Sequence, residues 1–404
     1  MQRLDCIARR AYQPLNTPVK AKHIAGIDAV RLIAAVLVML FHYGFWVGVH
    51  NGTSAKASQG LIAFPEFYPY TQYGWIGVQV FFVISGFVIA FSGEKATAFS
   101  FLLARLVRLL PAALICASVT LAAAFIVHYA SYRELTMAYL RSILFLPFGP
   151  YIDDSYWTLA IEVAFYSMVF LMISMGRFQW IKRLAIVLGL ISTMFLLTYL
   201  AASTHPDGAF FNKVRYILES RVSDLLLVNH GCFFALGIFL WLQLVKQSSW
   251  SNVVWCVLFT MVGCLQIYTV NLIFLYRFNI AQSAIVPCLI WLGSLTTIIL
   301  AVKFNERVHQ GPAWLIASFR RMGLMTYPLY LIHQIVGLIM MAALVKEGAH
   351  PYAALTASMG LAFVASWGIC TYLEPPVGAA VKKLLLKFRD GFTAFRLKNP
   401  VSLS

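Results

Sequence analysis

Charge is scarce in this sequence, and negative charge scarcest. Only 11% of its 404 residues are charged, with 15 acidic residues against 31 Lys and Arg and a formal net charge of +16. With 61% of residues hydrophobic and a mean hydropathy of +0.78, the composition excludes a soluble globular protein and fits a polytopic membrane protein. No C-x-x-C spacing occurs among the seven cysteines, Cys6, Cys116, Cys232, Cys256, Cys264, Cys288 and Cys370. Neither a metal site nor a disulfide framework is indicated, and buried free thiols are expected. The first 26 residues lack the apolar core of a cleavable signal peptide. No stretch is long enough for a large soluble domain, so a basic nucleic-acid-binding module is excluded as well.

What is present is a series of long apolar runs. Ten spans are expected at about 27–48, 74–92, 108–129, 156–175, 183–202, 227–246, 252–270, 281–302, 323–345 and 352–373. Residues 135–148 are apolar but short, which suits an interfacial or re-entrant segment. The expected fold class is an all-α polytopic membrane protein, about ten helices in one bundle. Its segments are a basic N-terminal stretch (1–26), a transmembrane domain (27–373) and a basic tail (374–404). No internal repeat is visible.

With the N-terminus placed in the cytoplasm, the inner segments hold 22 of the Lys and Arg and the outer loops 8. That asymmetry obeys the positive-inside rule and returns the C-terminus to the cytoplasm. Membrane lipid headgroups account for much of the inner basic charge. It also suits a phosphorylated cytosolic substrate.

Several polar residues interrupt the spans, where burial is costly and function is the common reason for it. Arg31 and His42 lie eleven residues apart in the first span, about 20° beyond three full turns and roughly 16 Å along the axis. One face therefore carries a cation near one membrane surface and an imidazole much deeper. His42 suits a general base, Arg31 an anion-binding group. Asp28, one turn before Arg31, neutralises it or serves only to lower the cost of burying it. Ser85-Gly86, in a Phe-rich second span, permits close helix approach. Arg105 and Arg108, at i and i+3 before Pro111, share a face and can grip phosphate or simply anchor the span. In the fourth span Trp157 fits an interfacial belt, and Glu162 stands alone in an apolar run, as a catalytic group or a partner for a buried cation. Tyr330 and His333 share a face of the ninth. Two patterns are set aside. His23 to Asp28 spells H-x4-D, a spacing used by glycerolipid acyltransferases, but without their surroundings. Asn51-Gly52-Thr53 is a sequon that matters only in a secretory pathway.

In order along the chain, these stretches resemble the acyltransferase-3 family of integral membrane acyltransferases. Arg31 and His42 match its arginine–ten residues–histidine helix, and Phe81-Phe82-Val83-Ile84-Ser85-Gly86-Phe87 its F-F-x-x-S-G-F signature. Arg105-x-x-Arg108 is similar to its paired arginines. Trp157-Thr158-Leu159 with Glu162, Phe165 and Tyr166 resembles W-S-L-x-x-E-x-x-F-Y. Leu329-Tyr330-Leu331-Ile332-His333 resembles L-Y-L-x-H, and Leu373-Glu374-Pro375-Pro376 the closing I-E-K-P. Ala160 and Val163 stand where polar or acidic residues are common in that family, and Pro376 breaks its final order.

The resemblance implies a membrane-bound O-acyltransferase of the bacterial inner membrane, without an appended esterase-like domain. It implies no bound cofactor. Acyl-CoA, acetyl-CoA foremost, would be the cytoplasmic co-substrate. The acceptor would be a hydroxyl of a surface or exported carbohydrate, including lipid-linked glycans, exopolysaccharide and O-antigen. His42, Glu162 and His333 are then expected to be catalytic, with His42 as base or transient acyl carrier. Arg31, Arg105 and Arg108 are expected to bind the donor, and Asp28, Ser85, Trp157, Tyr166 and Tyr330 to line the cavity. The competing class is a glycan or glycolipid transporter, since polar residues in broken helices also mark transport paths and Pro287 and Pro328 fall within spans.

Overall fold

The computed structural model describes residues 23–398 except Asn51, with side chains through Asp390. Most of the 1–26 segment, Cys6 and the sequon asparagine lie outside the described residues.

Helices account for nearly all of the described chain, and no strand occurs among the described residues. Helix α1 (Ala25–Phe41) runs into a π-helical turn, His42–Trp46. Then come α2 (Ile76–Gly93), α3 (Ala98–Val127), α4 (Tyr132–Ile143), α5 (Trp157–Ser174), α6 (Ile181–Ala202) and α7 (Ala209–Leu218). The chain continues through α8 (Gly231–Trp241), α9 (Trp250–Phe278), α10 (Ile285–Lys303), α11 (Ala313–Lys346), α12 (Pro351–Gly368) and α13 (Glu374–Lys398). Nine helical stretches among the described residues are long and apolar enough to cross a membrane.

The expected tenth span, 227–246, is instead the shorter helix Gly231–Lys246. At 1.5 Å per residue it measures roughly 24 Å, less than the ~30 Å hydrocarbon core. Its position explains the tolerance: every residue of α8 is buried, so it packs within protein and not against lipid. Two glycines let it sit there. A Cβ on Gly86 of α2 would strike the backbone of Phe234, and one on Gly237 would strike that of Val83 and Phe87. The close approach expected of Ser85-Gly86 is thus made to α8. The short 135–148 segment gives the amphipathic α4, opened by a capping box between Ser131 and Glu134.

Neither interrupting proline breaks its helix. Pro328 lies inside an unbroken α11, and Pro287 stands at the third residue of α10, where its missing N–H costs little. Pro111 likewise lies inside an unbroken α3, which carries both Arg105 and Arg108 within its length. The 373/374 boundary falls between the π turn Ile369–Leu373 and α13, with helix on both sides.

Candidate active site

Most of the polar residues singled out from sequence line two neighbouring cavities that share Arg31 and Arg108. At its basic end, Asp28 is 6% exposed and accepts from His23 Nε2 at 2.6 Å. The two residues of the H-x4-D pattern, set aside for want of that motif's surroundings, are therefore in direct contact. Arg31 Nη1 lies 3.8 Å from the same carboxylate. His23, Asp28, Arg31, Arg108 and Arg320 edge a mouth cavity of about 260 Å³.

Arg31 and Arg108 also border a deeper cavity of about 340 Å³. Arg105, Glu162 and Tyr166 line its basic half, and Val78, Phe81, Phe82, Thr158 and Tyr330 its far half. From Val88 to Val78, both on its wall, α2 rises roughly 15 Å. The three guanidiniums are thinly satisfied. Arg108 donates to the Gly323 carbonyl at 3.5 Å and faces the Tyr327 ring, while Arg105 donates to Ser92 Oγ at 3.4 Å and its Nε is buried without a partner. Glu162 accepts from the Tyr166 hydroxyl, which itself accepts from Ser85 Oγ at 3.2 Å. With three cations and one carboxylate on the wall, the cavity has the charge to hold an anion, and guanidinium groups match phosphate geometry.

One turn beyond Tyr330 stand the two histidines. His42 Nδ1 lies 2.8 Å from His333 Nε2. His333 Nδ1 is 3.0 Å from the carbonyls of both Leu329 and Tyr330. Carbonyls only accept, so the network assigns the His333 proton to Nδ1. Its Nε2 then offers a lone pair, which His42 Nδ1–H fills. His42 Nε2 is left with its own lone pair and no hydrogen-bond partner among the described residues, the arrangement a general base needs. The Tyr43 hydroxyl donates to the His333 carbonyl. Asp153 Oδ2 accepts from Ile335 N at 2.9 Å, which steadies α11 just past His333. The π turn opens at His42 itself, and such turns are frequent at functional sites.

Of the expected site residues, Arg31, Arg105, Arg108, Glu162, Tyr166 and Tyr330 share the deeper cavity, and Asp28 the mouth. Ser85 lies behind Tyr166 and lines neither cavity. Trp157 packs near His230, with its carbonyl held by Arg221 at 2.8 Å. His42 and His333 meet each other just beyond the cavity, and Glu162 pairs with Tyr166, so the group that orients His42 is His333. Thr158, which holds the Tyr330 hydroxyl at 3.0 Å, Phe81 and Asp153 were not singled out. Phe81 and Thr158 sit in motifs that look like packing, and nothing in sequence places Asp153 against α11.

No solved structure matches this chain. A curated relative, the peptidoglycan O-acetyltransferase OatA of Listeria monocytogenes, is 25% identical over 256 residues, which is 56% of this chain and 35% of the relative. The chain thus spans about a third of that relative's length. The acyltransferase-3 family, described as an acyltransferase domain, matches residues 24–371. Sequence motifs, helical architecture and this match agree, and the chain belongs to the acyltransferase-3 family of membrane acyltransferases.

Proposed function

We propose that this protein is an O-acyltransferase that moves an acetyl group from cytoplasmic acetyl-CoA to a hydroxyl of a surface or exported carbohydrate. The observation that carries the reading is the bare Nε2 of His42, fixed by His333 just past an arginine-lined cavity. The likeness to a Listeria peptidoglycan O-acetyltransferase supports an acetyl group and a cell-wall polysaccharide acceptor. The excess of Lys and Arg on one side supports cytoplasmic termini and a basic mouth facing the donor. A bacterial inner membrane fits such a pairing of cytosolic donor and exported glycan.

In this reading the CoA phosphates settle on Arg31, Arg105 and Arg108, and the thioester points toward Tyr330. His42 Nε2 takes the proton of the acceptor hydroxyl as its oxygen attacks the thioester carbonyl. The C–O bond forms, the C–S bond breaks, and the sulfur leaves with the proton from His42 as a free thiol. His333 holds the imidazole in the needed tautomer and shares the positive charge that forms. Glu162, fixed by Tyr166, balances the arginines.

The test is to incubate purified protein with acetyl-labelled acetyl-CoA and a bacterial glycolipid extract. Ester-linked label on glycan, with one thiol released per ester, is expected. Glycan movement in vesicles with no thiol release would favour a transporter instead.

A further inference from the structure

We infer that Phe81 and Tyr330 form an acyl-length stop that limits this enzyme to short acyl groups. The inference rests on the donor reading above and adds to it the feature that selects the acyl chain. The deeper cavity carries Arg31, Arg105 and Arg108 on its wall and, further along α2 and facing α11, the aromatic side chains of Phe81 and Tyr330. A donor anchored by its phosphates on the arginines must present its acyl end to that wall. The wall is braced. The Tyr330 hydroxyl is 3.0 Å from Thr158 Oγ1, and the Phe81 ring meets the Tyr330 ring edge-on at 5.5 Å. Tyr330 is 6% exposed and is held from α5 and α2 at once. Each methylene added to the acyl chain has to displace one of these two rings.

The two adjacent phenylalanines differ in how firmly they are held. Phe82 is fully buried, 4.9 Å from the Phe234 ring and 5.0 Å from the His230 ring, so it belongs to the packing of α2 on α8. Phe81 is half-buried and touches only the Tyr330 ring among aromatic neighbours. Its truncation widens the cavity at its far end and leaves the α2–α8 contact in place. A braced aromatic wall discriminates by size: a mismatch of one methylene in a fitted pocket changes kcat/KM by about 10-fold to 200-fold.

The experiment compares acetyl-, propionyl-, butyryl- and hexanoyl-CoA with wild type, Phe81→Ala and Phe81→Leu, reading thiol release and acyl ester on the same glycan extract. Wild type is expected to prefer acetyl over butyryl by about 10-fold or more. Phe81→Ala should bring butyryl within about 3-fold of acetyl, and Phe81→Leu should admit propionyl first; the Leu variant also serves if the Ala variant does not accumulate. Equal use of all four thioesters by wild type overturns the stop and leaves the donor reading intact. An acetyl preference unchanged in both variants overturns it as well. No thiol from any thioester, with acceptor present, contradicts the donor reading and removes the stop with it.

Discussion

His42 and His333, 291 positions apart in sequence, meet Nδ1 to Nε2 at 2.8 Å. Because the outer nitrogen of His333 is committed to two backbone carbonyls, the pair has one direction, and its free lone pair is on His42 Nε2. No carboxylate bonds His42 among the described residues, and the second imidazole fixes its tautomer.

His333→Ala is expected to lower kcat by about 10²-fold or more, the scale of a lost acid–base arrangement, with little change in donor KM. His333→Gln, whose amide can still accept from His42 Nδ1–H, should recover part of that loss. Steady-state kinetics on both variants, with the shape of the pH–rate profile compared to wild type, separates positioning from a fold defect.

Replacing Arg105 or Arg108 by Ala should weaken donor binding by about 10-fold or more, since each removes a charge-assisted contact of roughly 1.5–3 kcal/mol. Lys should restore less than full affinity, because it cannot make the forked contact. Equilibrium binding of CoA, without acceptor, is the measurement, and unchanged affinity in both Ala variants would remove these residues from the donor site.

Gly237→Val should destabilise the bundle by about 1–3 kcal/mol, the cost of forcing extra volume into a filled interior. The melting temperature in detergent should fall. A matching change at Gly360, where a Cβ meets nothing within 4 Å, should leave it nearly unchanged.

Asp153 precedes the α5 span and is fully buried. Burial pushes its carboxyl up to about 7, against the pull of its hydrogen bonds from Ser155 and Ile335. The folded state then binds this proton at pH values where the unfolded chain, with a carboxyl near 3.9, has released it. Stability contributed by this group is full below about pH 4, declines as pH rises toward 7, and is level above. Thermal melts in detergent across that window should show a downward slope with pH that Asp153→Asn flattens.

Much of this architecture can be read from the chain. Hydropathy marks a helix at each of the ten expected places, and α8, in the one that is short for a span, is short for a physical reason: a helix buried on every side need not match the membrane thickness. Arg31 and Glu162 are legible as charged residues in apolar runs, Arg105 and Arg108 as a pair on one helix face, and Tyr166 and Tyr330 from their motifs, and all six share one cavity. What sequence could not give is who touches whom. Glu162 is held by Tyr166 four residues on, a local contact, while His42 finds its partner on a helix near the other end of the chain. The H-x4-D pattern lacks the surroundings of an acyltransferase motif, so sequence gives no sign of the His23–Asp28 contact, and the cavity wall of Phe81 and Thr158 looks in sequence like ordinary packing.

The most direct test is thiol release from acetyl-CoA, in the presence of glycan acceptor, by wild type and by His42→Ala purified to the same melting temperature. A loss of about 10²-fold to 10⁴-fold in kcat, with CoA binding retained, is predicted for a base that acts after the donor is seated. His42→Ala turning over within about 3-fold of wild type would contradict it, and with it the role of the His42–His333 pair.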